Sequence, residues 1–214
     1  MIVRGVIWDV DGTIADTLPM IIRILQEAIV KFNGPNLTPS EIEERFGPTE
    51  QGVLKNVLGE DSDTAYRFFL AEYEERHEAE VEVFEGVHDI IATLADHGVR
   101  QAVVTGKGAE SAAITLERLE LSESFEFVIS GSIEGQQKDK AIVSILASWG
   151  LPGDEVVYIG DHPTDVVNAH AAGVNALVAG WRYGPADSWM GDLEPHARFD
   201  STADLATWLE TSIA

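Results

Sequence analysis

The chain has 214 residues, no cysteine, and 14 lysine and arginine residues against 37 aspartate and glutamate residues, a formal net charge of −23. A chain of this length can bury one substantial core, or one core with a small accessory domain. The negative charge argues against nucleic acid or an anionic membrane as a partner. The lack of cysteine excludes disulfides and thiolate metal sites, and no apolar run approaches the roughly 18 residues of a membrane-spanning helix. We therefore expect a cytoplasmic protein.

Five short apolar runs recur along the chain, and each ends in a polar residue or a glycine. They are nearly continuous rather than alternating, which is typical of strands buried on both faces of a parallel sheet. Helical patterns separate them, with apolar residues three and four positions apart. The sequence therefore predicts an α/β fold. The predicted strands cover residues 3–9, 100–106, 125–130, 155–161 and 174–180, and the predicted core helices cover residues 83–98, 109–121, 139–151 and 164–174.

The interval between the first two strands is too long for a simple crossover connection. It carries four further helical patterns, and Pro19 suits the first turn of the first one. We predict a separate helical insert at residues 15–84, with the core formed by residues 1–14 and 85–214. The predicted helices of the insert cover residues 19–32, 38–46, 49–58 and 64–80.

Acidic side chains stand at the ends of the predicted strands. Asp9 and Asp11 follow the first strand, Asp161 ends the fourth, and Asp165 comes one helical turn later. The carboxyl ends of parallel strands share one edge of the sheet, so these carboxylates are expected to converge. Such a cluster stays ionised only around a cation. A set of oxygen ligands without histidine or cysteine suits Mg²⁺.

The same edge carries the groups that phosphate chemistry requires. One of the paired aspartates can attack phosphorus, and the other can exchange protons with the leaving oxygen and with water. Gly12 permits a tight turn, and backbone N–H groups there and at Gly106 can hold phosphate oxygens, while Thr105 offers a hydroxyl donor. A lysine is needed to balance phosphoryl charge, and both Lys138 and Lys140 stand before or at the start of a predicted helix.

Four motifs match in order: "DVDGT" (residues 9–13), a strand-ending Thr105, a lysine at 138 or 140, and "GDHPTD" (residues 160–165). With them the chain resembles the haloacid dehalogenase-like hydrolase superfamily, in its phosphoglycolate-phosphatase-like subgroup. The resemblance implies a Rossmann-like core with an inserted helical cap. It also implies an aspartyl-phosphate on Asp9 and acid/base work by Asp11. Mg²⁺ would be held by Asp9, the backbone carbonyl of Asp11 and Asp161, with Asp165 supporting the metal shell.

Some positions depart from the family pattern or extend it. The motif lysine is commonly followed by proline, whereas Asp139 follows here, and we favour Lys138 over Lys140 because it directly precedes the helix. His162 replaces a frequent small hydroxyl residue and is a candidate to touch the metal's outer shell or the substrate. Arg45 lies between insert helices, where relatives often contact the leaving group; a plain surface arginine is the alternative. The candidate phosphate- or substrate-binding residues are Gly12, Thr13, Gly106 and Arg45.

The resulting hypothesis is a Mg²⁺-dependent phosphatase for a small, phosphoglycolate-like phosphorylated metabolite, acting as a monomer or homodimer. Asp11 argues against a haloacid dehalogenase, since those enzymes lack the second acid. A phosphomutase or a pyrophosphatase on the same scaffold remains open, as does a non-catalytic module that binds metal or phosphate. Trp181 and Tyr183, after the last predicted strand, are expected to serve packing.

Overall fold

A six-stranded parallel sheet organises the computed structural model of the chain, which describes residues 1–135, 137–182 and 193–213. The strand order is β3-β2-β1-β4-β5-β6, so β1 lies in the middle with β2 and β4 as its neighbours. The predicted α/β fold with a parallel sheet flanked by helices is confirmed. The strands are β1 (Gly5–Trp8), β2 (Arg100–Val104), β3 (Phe127–Ile129), β4 (Val156–Gly160), β5 (Asn175–Ala179) and β6 (Ala197–Phe199).

Nine helices are described around this sheet. Each predicted helical pattern corresponds to one of them, with ends that differ by a few residues. The ninth helix and the sixth strand were not predicted. The helices are α1 (Leu18–Lys31), α2 (Pro39–Glu43), α3 (Glu50–Leu58), α4 (Ser62–Glu80), α5 (Val87–Asp96), α6 (Ala109–Arg118), α7 (Lys138–Trp149), α8 (Pro163–Ala172) and α9 (Thr202–Ser212).

Alternating side chains of the central strands feed two apolar layers, one on each face of the sheet. Trp8 packs in the layer that contains Leu94 of α5 and Leu205 of α9. Ile7 packs in the opposite layer, with Ile142 of α7 and Val166 of α8. Since successive strand residues point to opposite faces, the continuous apolar runs of the sequence correspond to a sheet covered on both sides.

Helices α1 to α4 lie between β1 and α5 in the chain, and we call residues 15–84 the helical insert. Within it, α4 packs against both α1 and α3, and α1 also packs against α2. Helix α4 of the insert also packs against α6 of the core. The insert follows Asp9 and Asp11 in the chain, and α1 begins at Leu18.

Among the described helices, none combines the length and apolar character that crossing a membrane requires.

Candidate active site

Two neighbouring strands bring Asp9 and Asp161 to the same edge of the sheet. β1 and β4 pair in register up to Trp8 and Ile159, and the backbone N–H of Asp9 donates to the carbonyl of Ile159 at 2.8 Å. Both aspartates follow the last paired residues, and both are buried. The predicted convergence of residues about 150 positions apart is therefore present in the structure.

A buried lysine joins two of the carboxylates. Lys138 Nζ lies 2.7 Å from Asp9 Oδ2 and 2.7 Å from Asp165 Oδ1. Burial opposes the charge, but the coulombic effects of Asp165 and Asp9 raise the pKa of Lys138 well above its ordinary value. Lys140 is exposed. Of the two candidate lysines, only Lys138 contacts the site.

Asp161 carries the least satisfied oxygen of the group. Its Oδ2 is buried and has no hydrogen-bond partner among the described residues, and Arg182 Nη1 lies 3.8 Å away. Burial, followed by the charges of Asp165 and Asp9, raises the pKa of Asp161 well above its ordinary value. Burial also raises the pKa of Asp9, to about 6, against the opposing charge of Lys138.

The donor set fits a divalent cation. Asp9, Asp161 and Asp165 each offer a carboxylate oxygen, and these oxygens lie within 4.8 Å of one another. Crowded, desolvated carboxylates with raised pKa values are what a bound cation would neutralise. The buried oxygen of Asp161 that lacks a partner is the clearest candidate ligand, and oxygen ligands suit Mg²⁺.

Two features of position 12 require a glycine there. Its φ of +76° lies in the left-handed region, and a Cβ atom there would come 2.0 Å from Asp161 Oδ2. Any other residue would therefore strain the turn and collide with the carboxylate. Gly12 keeps the chain after β1 close to the candidate metal ligand.

Asp11 faces a different environment from Asp9. Its Oδ1 accepts a hydrogen bond from the hydroxyl of Thr17 and lies 3.0 Å from Lys107 Nζ. Lys107 is fully buried, and its Nζ is also 3.6 Å from Glu50 Oε1 and 4.7 Å from the centroid of the Tyr73 ring. The side chain of Asp11 is thus oriented by a hydroxyl and an ammonium group, apart from the candidate metal ligands.

Lys107 and Glu50 are two residues of the site that were not predicted from the sequence. Glu50, on the helical insert, accepts hydrogen bonds from the backbone N–H of Gly108 and the hydroxyl of Ser111, each at 2.8 Å. Lys107 follows Thr105 and Gly106 directly. Its position next to a candidate catalytic threonine was the feature of the sequence that could have indicated a place in the site. Nothing in the sequence pattern indicates that Glu50 meets it.

Most of the candidate residues line one cavity of about 350 Å³. Thr105 is buried beside it, where a smaller cavity is lined by Thr105, Gly106 and Lys138. His162, whose backbone N–H donates to Asp165 Oδ2 at 3.0 Å, lines the larger cavity. The predicted residues that line that cavity are Asp9, Asp11, Gly106, Lys138, Asp161 and His162, and they are joined by Lys107, Thr164 and Arg182.

Three predicted phosphate- or substrate-binding residues, Gly12, Thr13 and Arg45, are not among the residues that line this cavity. Thr13 is fully buried, and its carbonyl accepts a hydrogen bond from Trp181 Nε1 at 3.2 Å. Arg45 is exposed, and its guanidinium donates to the carbonyl of Glu41. Trp181 also packs edge-on against Phe84, while Tyr183 lies outside the described residues. The structure brings neither Thr13 nor Arg45 to the cavity lining.

The chain is similar to several curated proteins and solved structures. The chain is 30% identical over 185 residues to tyrosine-protein kinase PtkA of Mycobacterium tuberculosis, covering 85% of the chain but 64% of that protein. It is 29% identical over 232 residues to phosphoglycolate phosphatase of Rhodospirillum rubrum, covering 96% of the chain and 90% of that enzyme. Its fold resembles the crystal structure of a predicted phosphoglycolate phosphatase from Haemophilus somnus 129pt, with a TM-score of 0.80 at 19% identity, over 96% of this chain and 97% of that one.

The family model described as haloacid dehalogenase-like hydrolase matches residues 6–179. This range begins within β1 and ends with β5, so it contains the strand ends that carry Asp9, Thr105 and Asp161. With most of its length matched, the chain belongs to the haloacid dehalogenase-like hydrolase family.

Proposed function

We propose that the chain is a Mg²⁺-dependent phosphatase that hydrolyses a phosphate monoester of a small metabolite through an aspartyl-phosphate on Asp9. The observation that carries this proposal is the meeting of Asp9, Asp11, Asp161 and Lys138 in one cavity. The similarity to phosphoglycolate phosphatases supports the reaction class.

Asp9, Asp161 and Asp165 would hold the metal ion, for which their oxygens are close enough. When bound, Mg²⁺ would neutralise the carboxylates and draw electron density from the phosphoryl oxygens. The unpartnered oxygen of Asp161 and the raised pKa values of Asp9 and Asp161 support this assignment.

The protein side chains divide the reaction between them. Asp9 attacks phosphorus, a bond from its carboxylate oxygen to phosphorus forms, and the bond from phosphorus to the leaving oxygen breaks. Asp11 gives its proton to that oxygen. In the second step Asp11 takes a proton from water, the water oxygen bonds to phosphorus, and the bond to Asp9 breaks to release phosphate. Lys138 and the backbone N–H of Gly106 balance phosphoryl charge.

The helical insert is proposed to act as a cap, with domain limits at residues 15–84 for the cap and at 1–14 and 85–214 for the core. The helical insert lines the same cavity as the reacting carboxylates, through Leu18 and Ile21 of α1, Phe46 and Pro48 after α2, and Glu50 of α3. A cap in this position would exclude bulk water while Asp9 meets the phosphate.

A small metabolite fits a cavity of this size, and the net charge of −23 disfavours a nucleic-acid substrate. The lack of cysteine supports action in the reducing cytoplasm. A monomer or a homodimer remains the expectation for the assembly.

The test is phosphate release from a panel of phosphate monoesters, with Mg²⁺ and with a chelator in excess. We expect release that needs Mg²⁺ and falls by at least about a thousandfold in Asp9→Asn, because the nucleophile is lost. Asp96→Asn, at an exposed position on α5, is the control and should retain full activity. Activity that survives chelation or the Asp9 substitution would contradict the proposal.

The same panel separates the alternatives. Phosphate transfer within a sugar phosphate without release would indicate a phosphomutase, and release from pyrophosphate alone would indicate a pyrophosphatase. Silence across the panel would favour a non-catalytic module. Because one relative carries the name of a tyrosine-protein kinase, transfer from ATP to a tyrosine peptide is measured in parallel, and we expect none.

A further inference from the structure

The core and the helical insert contribute chemically different residues to the lining of the cavity. The core contributes Asp9, Asp11, Asp161 and Lys138, whereas the residues of the helical insert, which we call the insert end, are mainly apolar. The insert contributes no lysine or arginine to the described lining. It contributes Leu18, Ile21, Glu43, Phe46, Gly47, Pro48 and Glu50.

The basic side chains of the cavity are already paired with carboxylates. Lys107 lies against Asp11 and Glu50, and Lys138 lies against Asp9 and Asp165. Arg182 lies 3.3 Å from Asp16 and 3.8 Å from Asp161. Among the described residues, five carboxylates and three basic side chains line the cavity. A phosphate dianion therefore already depends on these three cations and on a bound metal ion for its counter-charge.

Apart from these three, no lysine or arginine lines the cavity in the described part of the chain, so none remains to balance a second negative charge on the substrate. Arg45, the basic residue of the α2–α3 connection, is exposed, contacts Glu41 and does not line the cavity. By sequence, residues 136, 183–192 and 214, which lie outside the described part of the chain, include no lysine or arginine. Glu43, which is exposed, lines the insert end, and its side chain has no hydrogen bond or ion pair among the described residues.

We propose that the substrate's leaving group carries no negative charge and places an apolar body against Leu18, Ile21 and Phe46, with Glu43 as the residue that rejects anionic leaving groups. This inference rests on the proposed phosphatase function and narrows its substrate class. A leaving-group carboxylate, such as that of glycolate, would lie unpaired near Glu43 and Glu50, and an unpaired charge in a confined cavity is costly. A neutral group of the same shape avoids this repulsion.

Two esters of equal size test the proposal: 2-phosphoglycolate and its neutral carboxamide analogue, phosphoglycolamide. For the wild-type protein with Mg²⁺, we expect kcat/KM to be at least about tenfold higher for the carboxamide, equivalent to about 1.4 kcal/mol. Glu43→Gln should reduce the ratio of the two kcat/KM values, and Glu43→Lys should abolish or reverse the preference for the carboxamide. Glu44→Gln, at the neighbouring exposed position outside the cavity lining, should leave the preference unchanged.

A binding measurement separates failure of this inference from failure of the proposed function. Calorimetry of both esters with Asp9→Asn, which blocks turnover, should show tighter binding of the carboxamide with the same dependence on Glu43. If the whole panel of phosphate monoesters is silent, the phosphatase proposal fails, while the binding preference still decides this inference. The inference would be overturned if phosphoglycolate were hydrolysed or bound as well as the carboxamide or better, or if neither ester bound. It would also be overturned if Glu43→Lys left the preference for the carboxamide unchanged.

Discussion

Two buried lysines organise the carboxylates of the candidate site. Lys138 bridges Asp9 and Asp165, while Lys107 lies between Asp11 and Glu50. Each lysine keeps one carboxylate of the Asp9 and Asp11 pair in its own electrostatic environment, which a split between nucleophile and proton carrier requires. Removing either lysine would leave buried carboxylates without their counter-charge.

Lys138 was predicted from the sequence and Lys107 was not, and the difference has a physical reason. Lys138 was expected because phosphoryl charge requires a cation near the start of a helix. Lys107 becomes significant only through its contacts with Asp11, 96 positions away, and with Glu50. The contact with Glu50 depends on how the helical insert packs against the core, and residue spacing does not encode that packing.

His77 is a buried histidine held in its neutral form. It lies on α4 with no exposed surface. Neither ring nitrogen has a hydrogen-bond partner among the described residues, and the Tyr73 ring packs edge-on against it. Burial lowers the pKa of His77 to about 4, with added effects from Lys107 and Arg118 that outweigh Asp11.

The lowered pKa of His77 predicts that the free energy of unfolding depends on pH. His77→Leu should weaken this pH dependence. Between a pKa of about 6.5 in the unfolded chain and about 4 in the folded chain, the unfolded state binds the proton, so stability falls as the pH falls. From about pH 7 to about pH 5.5, the wild type should lose about 1 kcal/mol more free energy of unfolding than His77→Leu. Urea denaturation at both pH values measures the difference, and parallel losses in the two proteins would show that His77 is not the titrating group.

At the scale of elements, α3 is attached to the core by the side chain at its first residue. Glu50 accepts from the N–H of Gly108, which precedes α6, and from Ser111 in the first turn of α6. Gly108 has no side chain to cap that helix, so the carboxylate from α3 satisfies a free N–H at its positive end. Close approach of Gly52 to the carbonyl of Ile133 adds a second contact.

Glu50→Ala should therefore destabilise the protein strongly. The substitution removes two hydrogen bonds and leaves Lys107 with Asp11 as its carboxylate partner, and we expect a loss of about 3 kcal/mol in the free energy of unfolding. Glu50→Gln, which keeps the acceptor oxygen, should lose less. Chemical denaturation gives the values, with Glu60→Ala at an exposed position as the control. If Glu50→Ala matched that control, the contact between α3 and α6 would have no energetic weight.

The elements differed in how well the sequence indicated them. β1, β2, β4 and β5 were predictable because continuous apolar runs correspond to central parallel strands. β6 has three residues at the edge of the sheet, Ala197–Phe199, and offers too short a pattern. The helix after it has a start signal in Ser201, whose side chain accepts from the N–H of Asp204, but it was not predicted either.

At the scale of the whole molecule, the fold gathers chemistry from distant parts of the chain. β1 lies between β2 and β4, so the residues that follow these strands share one edge, and α7 adds Lys138. The sequence indicated this edge because parallel strands order their carboxyl ends. It did not indicate the insert end of the cavity, since the packing of α1, α2 and α3 follows from side-chain contacts rather than from strand order.

The most direct test of the central claim is to trap the phosphorylated form of Asp9. In Asp11→Asn, supplied with Mg²⁺ and p-nitrophenyl phosphate, the leaving group needs no acid, but breakdown of the intermediate lacks its base. We predict a rapid burst of about one nitrophenolate per protein molecule, followed by slow turnover. Mass spectrometry after an acid quench should then find one phosphoryl group on the peptide that contains Asp9. A burst with the phosphoryl group on another residue, or turnover at the wild-type rate without any adduct, would contradict Asp9 as the nucleophile.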